Sequence, residues 1–235
     1  MKFPALRFVM RITLTAALCG IGSINASASM LTSLTAGPGL NIAITDNGYD
    51  GTLGSMASSS INVGSSLGAV EKVTVSVSMS HTWIGDLTIN LRGPTGTIVT
   101  LMSRPGFAEP SDDGTGCCGD SSNLIFDNLI TFDDDAATSA ETMGGAQDGS
   151  TAIPAGSFFP FADSAGGPML AGFDGLASIG IWTLYIGDSE ALDEGVLNSW
   201  TLSLTTASTV PEPATLALLG IALASLGFSR RRKPH

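Results

Sequence analysis

Val73-Thr74-Val75-Ser76-Val77-Ser78-Met79-Ser80 alternates apolar and small polar residues without a break. A strand turns successive side chains to opposite faces, so this stretch sends one set to a core and the other to solvent, and it predicts a half-buried β-strand. The pattern recurs at Asp86 to Arg92, with Leu87, Ile89 and Leu91 on one face; Gly93-Pro94-Thr95-Gly96 then turns the chain and Thr97 to Met102 returns. The expectation from these pieces is an antiparallel meander. Upstream, Thr45-Asp46-Asn47-Gly48 is a turn signal and Ser60 to Val63 a short strand. Downstream, Ile181 to Ile186 and Trp200 to Leu204 are β-rich runs on either side of an acidic turn, Gly187 to Gly195.

Between these groups, Ser103 to Phe173 is loop-rich, and Pro105, Pro110, Pro154, Pro160 and Pro168 exclude central strands from most of it. Asn123 to Phe132 is the exception. No amphipathic helix, helical repeat or heptad pattern occurs from Ser29 to Val210. Seven or eight short strands predict an all-β domain, an antiparallel β-sandwich or jelly roll, over 44–206, after a Gly/Ser/Thr-rich lead at 29–43. Trp182 and Trp200 belong to its packing, and Trp83, in a loop, is a candidate contact residue.

The chain ends read differently. Lys2, Arg7 and Arg11 precede a mainly apolar run, Ile12 to Ile24, and then Ala26-Ser27-Ala28, which predicts a signal peptide at 1–28 cleaved after Ala28. Cys19 does not fit a lipidation site, because the apolar stretch before it is short. At the other end, 207–235 holds Pro211-Glu212-Pro213, an apolar run and the cluster Arg230, Arg231, Arg232 and Lys233. Apolar residues favour lipid and clustered basic residues stay on the cytoplasmic side, so this segment reads as a short hydrophobic helix with its C-terminus inside. Ala214 to Phe228 is 15 residues, short of the roughly 20 that a permanent span needs.

From Ser29 to Val210 the chain has three basic residues, Lys72, Arg92 and Arg104, against twenty acidic ones, a net charge of minus 17. Such a surface repels nucleic acid and anionic membrane and favours solubility and multivalent cations.

Two resemblances follow. The tail, Val210 to Lys233, resembles the PEP-CTERM sorting signal of Gram-negative bacteria, which implies export, transient inner-membrane insertion, handling by an exosortase-type protease-transpeptidase, and delivery to the cell surface or extracellular matrix. Ser80-His81-Thr82-Trp83-Ile84-Gly85-Asp86-Leu87, Leu91 to Thr97, Leu101 to Gly106, Phe132 to Ala136, Gly180 to Leu184 and Gly195 to Leu202 together resemble the P domain, also called P/Homo B. That family is a β jelly roll found after the catalytic domain of subtilisin-like proteases, where it supports folding. The resemblance implies a non-enzymatic interaction or structural module, with extracellular polysaccharide or an envelope protein as partner. The other reading is an accessory domain for a separately encoded subtilisin-like serine endopeptidase.

The sequence offers little for catalysis. A serine triad needs a His set against a Ser and a carboxylate, and the only histidines are His81 and His235. His81, at a strand end, reads as a structural histidine bonding a neighbouring loop. Calcium takes several carboxylate and carbonyl oxygens, and Asp86, Asp133, Asp134, Asp135, Asp188 and Asp193 all fall near expected strand ends; Asp86 and Asp188 are the first choices. Asp is also the ordinary turn former, so an ion and turn chemistry are both open readings of these loops. Cys117 and Cys118 are adjacent and, in an oxidising compartment, read as a vicinal or intermolecular disulfide.

Overall fold

The alternation that begins at Val73 lies in strand β4, Ala69–His81, which buries Val73, Val75, Val77 and Met79 and leaves Thr74 and Ser76 half-buried. A computed structural model describes residues 27–108, 112–116, 118–145, 151–162, 169–209 and 220–223. Ser27–Val210 forms one compact unit. Its other strands are β1 (Ser27–Ala36), β2 (Ile42–Ile44), β3 (Ala57–Val63), β5 (Leu87–Arg92), β6 (Ile98–Ser103), β7 (Ile130–Phe132), β8 (Thr138–Ser139), β9 (Gly156–Phe159), β10 (Gly180–Asp188) and β11 (Gly195–Thr209).

They make two sheets. One runs β1-β11-β4-β7-β9-β8, with β2 also on β11, and the other runs β3-β10-β5-β6. The inner faces meet in a core that includes Val75, Leu87, Ile89, Leu91, Leu101, Phe132, Trp182, Leu184, Trp200, Leu202 and Leu204. Both buried tryptophans satisfy their indole N–H: Trp182 donates to the Ser178 carbonyl at 2.9 Å and Trp200 to Ser59 Oγ at 2.9 Å. The expected all-β sandwich is therefore present.

Three features differ from the sequence reading. The meander is really a hairpin, β5–β6, while β4 belongs to the opposite sheet. The crossing is made at Trp83, with φ of 139°, and at a 3₁₀ turn, Ile84–Asp86. Gly85 sits so close to the loop after it that a Cβ would lie 2.4 Å from the Cys118 carbonyl oxygen, so only glycine fits there. Second, β7–β9 and β8–β9 are parallel pairs, set by the long crossovers of the Pro-rich segment. Third, Thr88 and Asn90, on the face expected to meet solvent, are buried under the segments carrying Met56 and Asp112.

The Gly/Ser/Thr-rich lead supplies β1 and the start of β2, and β1 pairs with β11 over its whole length, from Ser27↔Thr209 to Ala36↔Trp200. Ala28 lies in β1. In the C-terminal run, residues 220–223 are helical. Among the described residues no helix is long and apolar enough to cross a membrane. Pro211, Glu212, Pro213, Arg230, Arg231, Arg232 and Cys117 lie outside the described residues.

Candidate functional site

β4 ends at His81, β5 begins at Leu87, β6 ends at Ser103 and β10 ends at Asp188, and these termini share one end of the sandwich. His81 and Asp188 are wholly buried there, with His81 Nε2 3.1 Å from Asp188 Oδ2 and His81 Nδ1 3.1 Å from the Trp83 carbonyl. Both ring nitrogens thus face oxygen acceptors. The second Asp188 oxygen accepts the Glu190 backbone N–H at 3.1 Å, so both oxygens of this buried carboxylate are bonded.

Asp86 lies beside this pair, 2 % exposed, and its Oδ1 has no hydrogen-bond partner. Burial pushes its pKa up from 3.8 to about 7, aided by the charges of Asp188 and Asp193, while His81 and Arg104 oppose the rise. Arg104, at φ of 43°, is completely buried. Its guanidinium donates to the Thr115 carbonyl at 2.6 Å and to the Gly116 carbonyl, and lies 4.3 Å from the centre of the Phe107 ring. Asp112 accepts from Thr88 Oγ1 at 3.0 Å, and burial raises its pKa. The Tyr49 backbone N–H closes the group by donating to the Asp188 carbonyl at 2.8 Å.

The six aspartates expected at one place divide into two groups. Asp86, Asp188 and Asp193 belong to the His81 end, where Asp193 accepts from Thr82 Oγ1 at 2.7 Å. Asp133, Asp134 and Asp135 lie beyond Phe132, which pairs with Val75 near the start of β4. Nine residues of strand separate Lys72 from His81, about 30 Å at the usual rise, so the two groups cannot share an ion. The reason is topological: β7 runs antiparallel to β4, and its end returns to the other pole.

At that pole Lys72 bridges Asp133 at 2.8 Å and Asp135 at 2.5 Å, and these bonds raise the Lys72 pKa. Burial would raise Asp133, but the bond from Lys72 and the Asp135 N–H outweigh it and hold its pKa low. Asp134 accepts the backbone N–H groups of Leu170 at 3.0 Å and Ala171 at 2.7 Å, which ties its loop to the start of the distant 3₁₀ turn Leu170–Phe173. Among the described residues no three His, Cys, Asp or Glu side chains converge to hold a metal.

Sequence reasoning did not single out Arg104, Asp112 or Tyr49. Arg104 had a readable signal: it is one of three cations in a module with twenty acids, and it directly follows the apolar run of β6. Trp83 is half-buried, and its indole N–H donates to the Cys118 carbonyl, so its polar edge is already engaged. Cys118 is disulfide-bonded. His81, buried and doubly bonded, has the structural place that the sequence suggested for it.

Residues 70–116, which contain His81, Asp86, Arg104 and Asp112, match the family model described as the proprotein convertase P-domain. Residues 209–233 match the PEP-CTERM protein-sorting motif. Two separate segments of the chain thus resemble a P-domain and a PEP-CTERM motif. Among solved structures, it is similar to the serine protease of Aeromonas sobria in complex with its chaperone, at 18 % identity and a TM-score of 0.42, covering 78 % of this chain and 27 % of that one. The same protease alone gives 17 % identity and a TM-score of 0.41, covering 80 % of this chain and 28 % of that one. This chain spans little more than a quarter of the length of either. No curated protein matches. The segment that matches the P-domain model holds β4, β5 and β6 and therefore supplies most of the buried polar group.

Proposed function

We propose that this chain is an exported, non-enzymatic P-domain module that works at the cell surface or in the extracellular matrix as a structural or interaction protein. The observation that carries the reading is the joining of a P-domain and a sorting motif in one chain, with the motif starting at the last residue of β11. The chemistry of the His81 end agrees with it. His81 is spent on Trp83 and Asp188 inside the fold, so the group serves to lock the β4–β5 crossing to the end of β10. Exosortase-type machinery would process the tail near Pro211-Glu212-Pro213, after transient insertion in the inner membrane of a Gram-negative cell. Deleting 210–235 is expected to move the protein from the envelope fraction to the soluble one, and an unchanged envelope fraction would overturn the reading.

The P-domain match also favours a second reading, an accessory domain that stabilises or recruits a separately encoded serine protease. Capture on immobilised matrix polysaccharide and on envelope proteins separates the two, since recovery of a subtilisin-like protease would select the second. Calcium remains part of the proposal through Asp86, whose buried Oδ1 is the leftover oxygen an ion would use, with the other oxygens coming from backbone and water. A calcium-dependent rise in melting temperature that survives Asp86→Asn would remove Asp86 from that role.

A further inference from the structure

β1 ends its sheet. One side is laddered to β11, and among the described residues no strand pairs with the other. A sheet edge presents a row of free N–H and C=O groups, and proteins normally blunt it with Lys, Pro, a bulge or a very short strand. Of the other edges, β8 has two residues and β6 pairs with β5 through an irregularity between Ile89 and Asn90, while β3 also lacks charge and Pro but is shorter, at seven residues. β1 uses none of these devices. Its ten residues, SASMLTSLTA, contain no charge and no Pro, and its ladder to β11 runs without a register shift.

The side chains of β1 are equally uncommitted. From Ala28 to Ala36 every residue is exposed or half-buried, with Met30 at 42 % and Leu31 at 68 % exposure. Charge decides what fits beside it. No charged residue occurs from Ser27 to Thr45 or from Gly195 to Val210, so the β1–β11 side is a neutral strip on a module of net charge minus 17. Glu71 reaches it only as the acceptor of Ser29 Oγ, at 2.6 Å. Repulsion between two such acidic bodies is weakest where both present this strip.

We propose that β1 is a pairing edge for the β1 of a second copy of this chain, in antiparallel register about a two-fold axis. Such a contact is isologous, so the same residues serve both sides and the assembly stops at two. Because side chains alternate with a period of two, the register must keep Leu31, Ser33 and Thr35 of both copies on one face, which joins the two sheets into a continuous one. An edge ladder covers less surface than a standard interface of about 1,200 Å² or more, so the pairing is concentration-dependent.

The test places a photo-crosslinking benzoylphenylalanine at Leu31 of the full chain, in intact cells. The expected product has twice the chain mass, with β1 peptides from both copies joined, and falls at least tenfold when Ser29→Lys and Ser33→Lys are added. Protease resistance of the lysine variant checks that it is folded. Four results would overturn the proposal: crosslinks to a different protein, a ladder of higher multiples, a folded protein with no crosslink, or a dimer indifferent to the lysines. An unfolded lysine variant passes the decision to Leu31→Lys, read by crosslinking from a probe at Thr35 with the same outcomes.

Discussion

Asp86 contributes to the pH response of this fold with a sign unusual for a carboxylate. Its pKa is about 7 in the folded chain against 3.8 for an ordinary carboxyl, so between those values the folded state holds a proton that the unfolded state has released. Stability then falls as pH rises, by about 1.4 kcal/mol per unit. Over roughly three units the loss is at most about 4 kcal/mol, and it is complete above pH 7. For a domain of this size that corresponds to a drop in melting temperature of about 10 °C. The cause is first burial of the carboxyl, whose Oδ1 has no partner, and then the nearby charges of Asp188 and Asp193. Asp86→Asn removes the titration while keeping the shape. In EDTA, the wild type should melt lower at pH 8 than at pH 5, whereas the variant should lose less over that range and be the more stable of the two at pH 8. Parallel melting curves for the two proteins across this range would refute the argument.

Replacing His81 by Ala leaves the fully buried Asp188 with a bare oxygen, and breaking such a pair from one side costs about 3–5 kcal/mol, to be measured by urea unfolding. Gly85→Ala drives a Cβ to 2.4 Å from the Cys118 carbonyl and 2.5 Å from the Asp120 nitrogen, so the loop must shift, with an expected loss of about 1–3 kcal/mol. Lys72→Met should cost about 1 kcal/mol or less, since Lys72 is only half-buried and Asp135 is exposed, and 1 M salt should erase most of the difference.

The strongest alternations announced their strands because each buries one face: β4 and β11 turn apolar residues inward and mostly Ser or Thr outward, and β10 buries Trp182, Leu184 and Ile186 while turning Ile181, Thr183 and Tyr185 out. β1 escaped notice for the same reason, since it buries no residue fully and so carries no clean period. That β4 and β5 lie in different sheets was also hidden, because the crossing depends on the close approach of Gly85 to residues 118–120, which only tertiary structure brings near. For the site, Asp86 and Asp188 were visible as acids at strand ends, and they do belong to one pole. Their neighbours were not, because Arg104 and Asp112 join them through loops. The separation of Asp133 from Asp86 follows from the direction of β7, which a local pattern cannot encode.

The pairing of the first strand with the last has a consequence in time. β11 lies between β1 and β4, so while a ribosome is still making the chain, β1 has no strand to pair with and β4 lacks the strand that holds most of its length. The larger sheet can close only after Thr209 has emerged, and the sorting motif is the stretch that follows directly behind it. A truncated chain that cannot complete its sheet is therefore also one without a tag, which makes the motif a certificate of finished synthesis as well as an address.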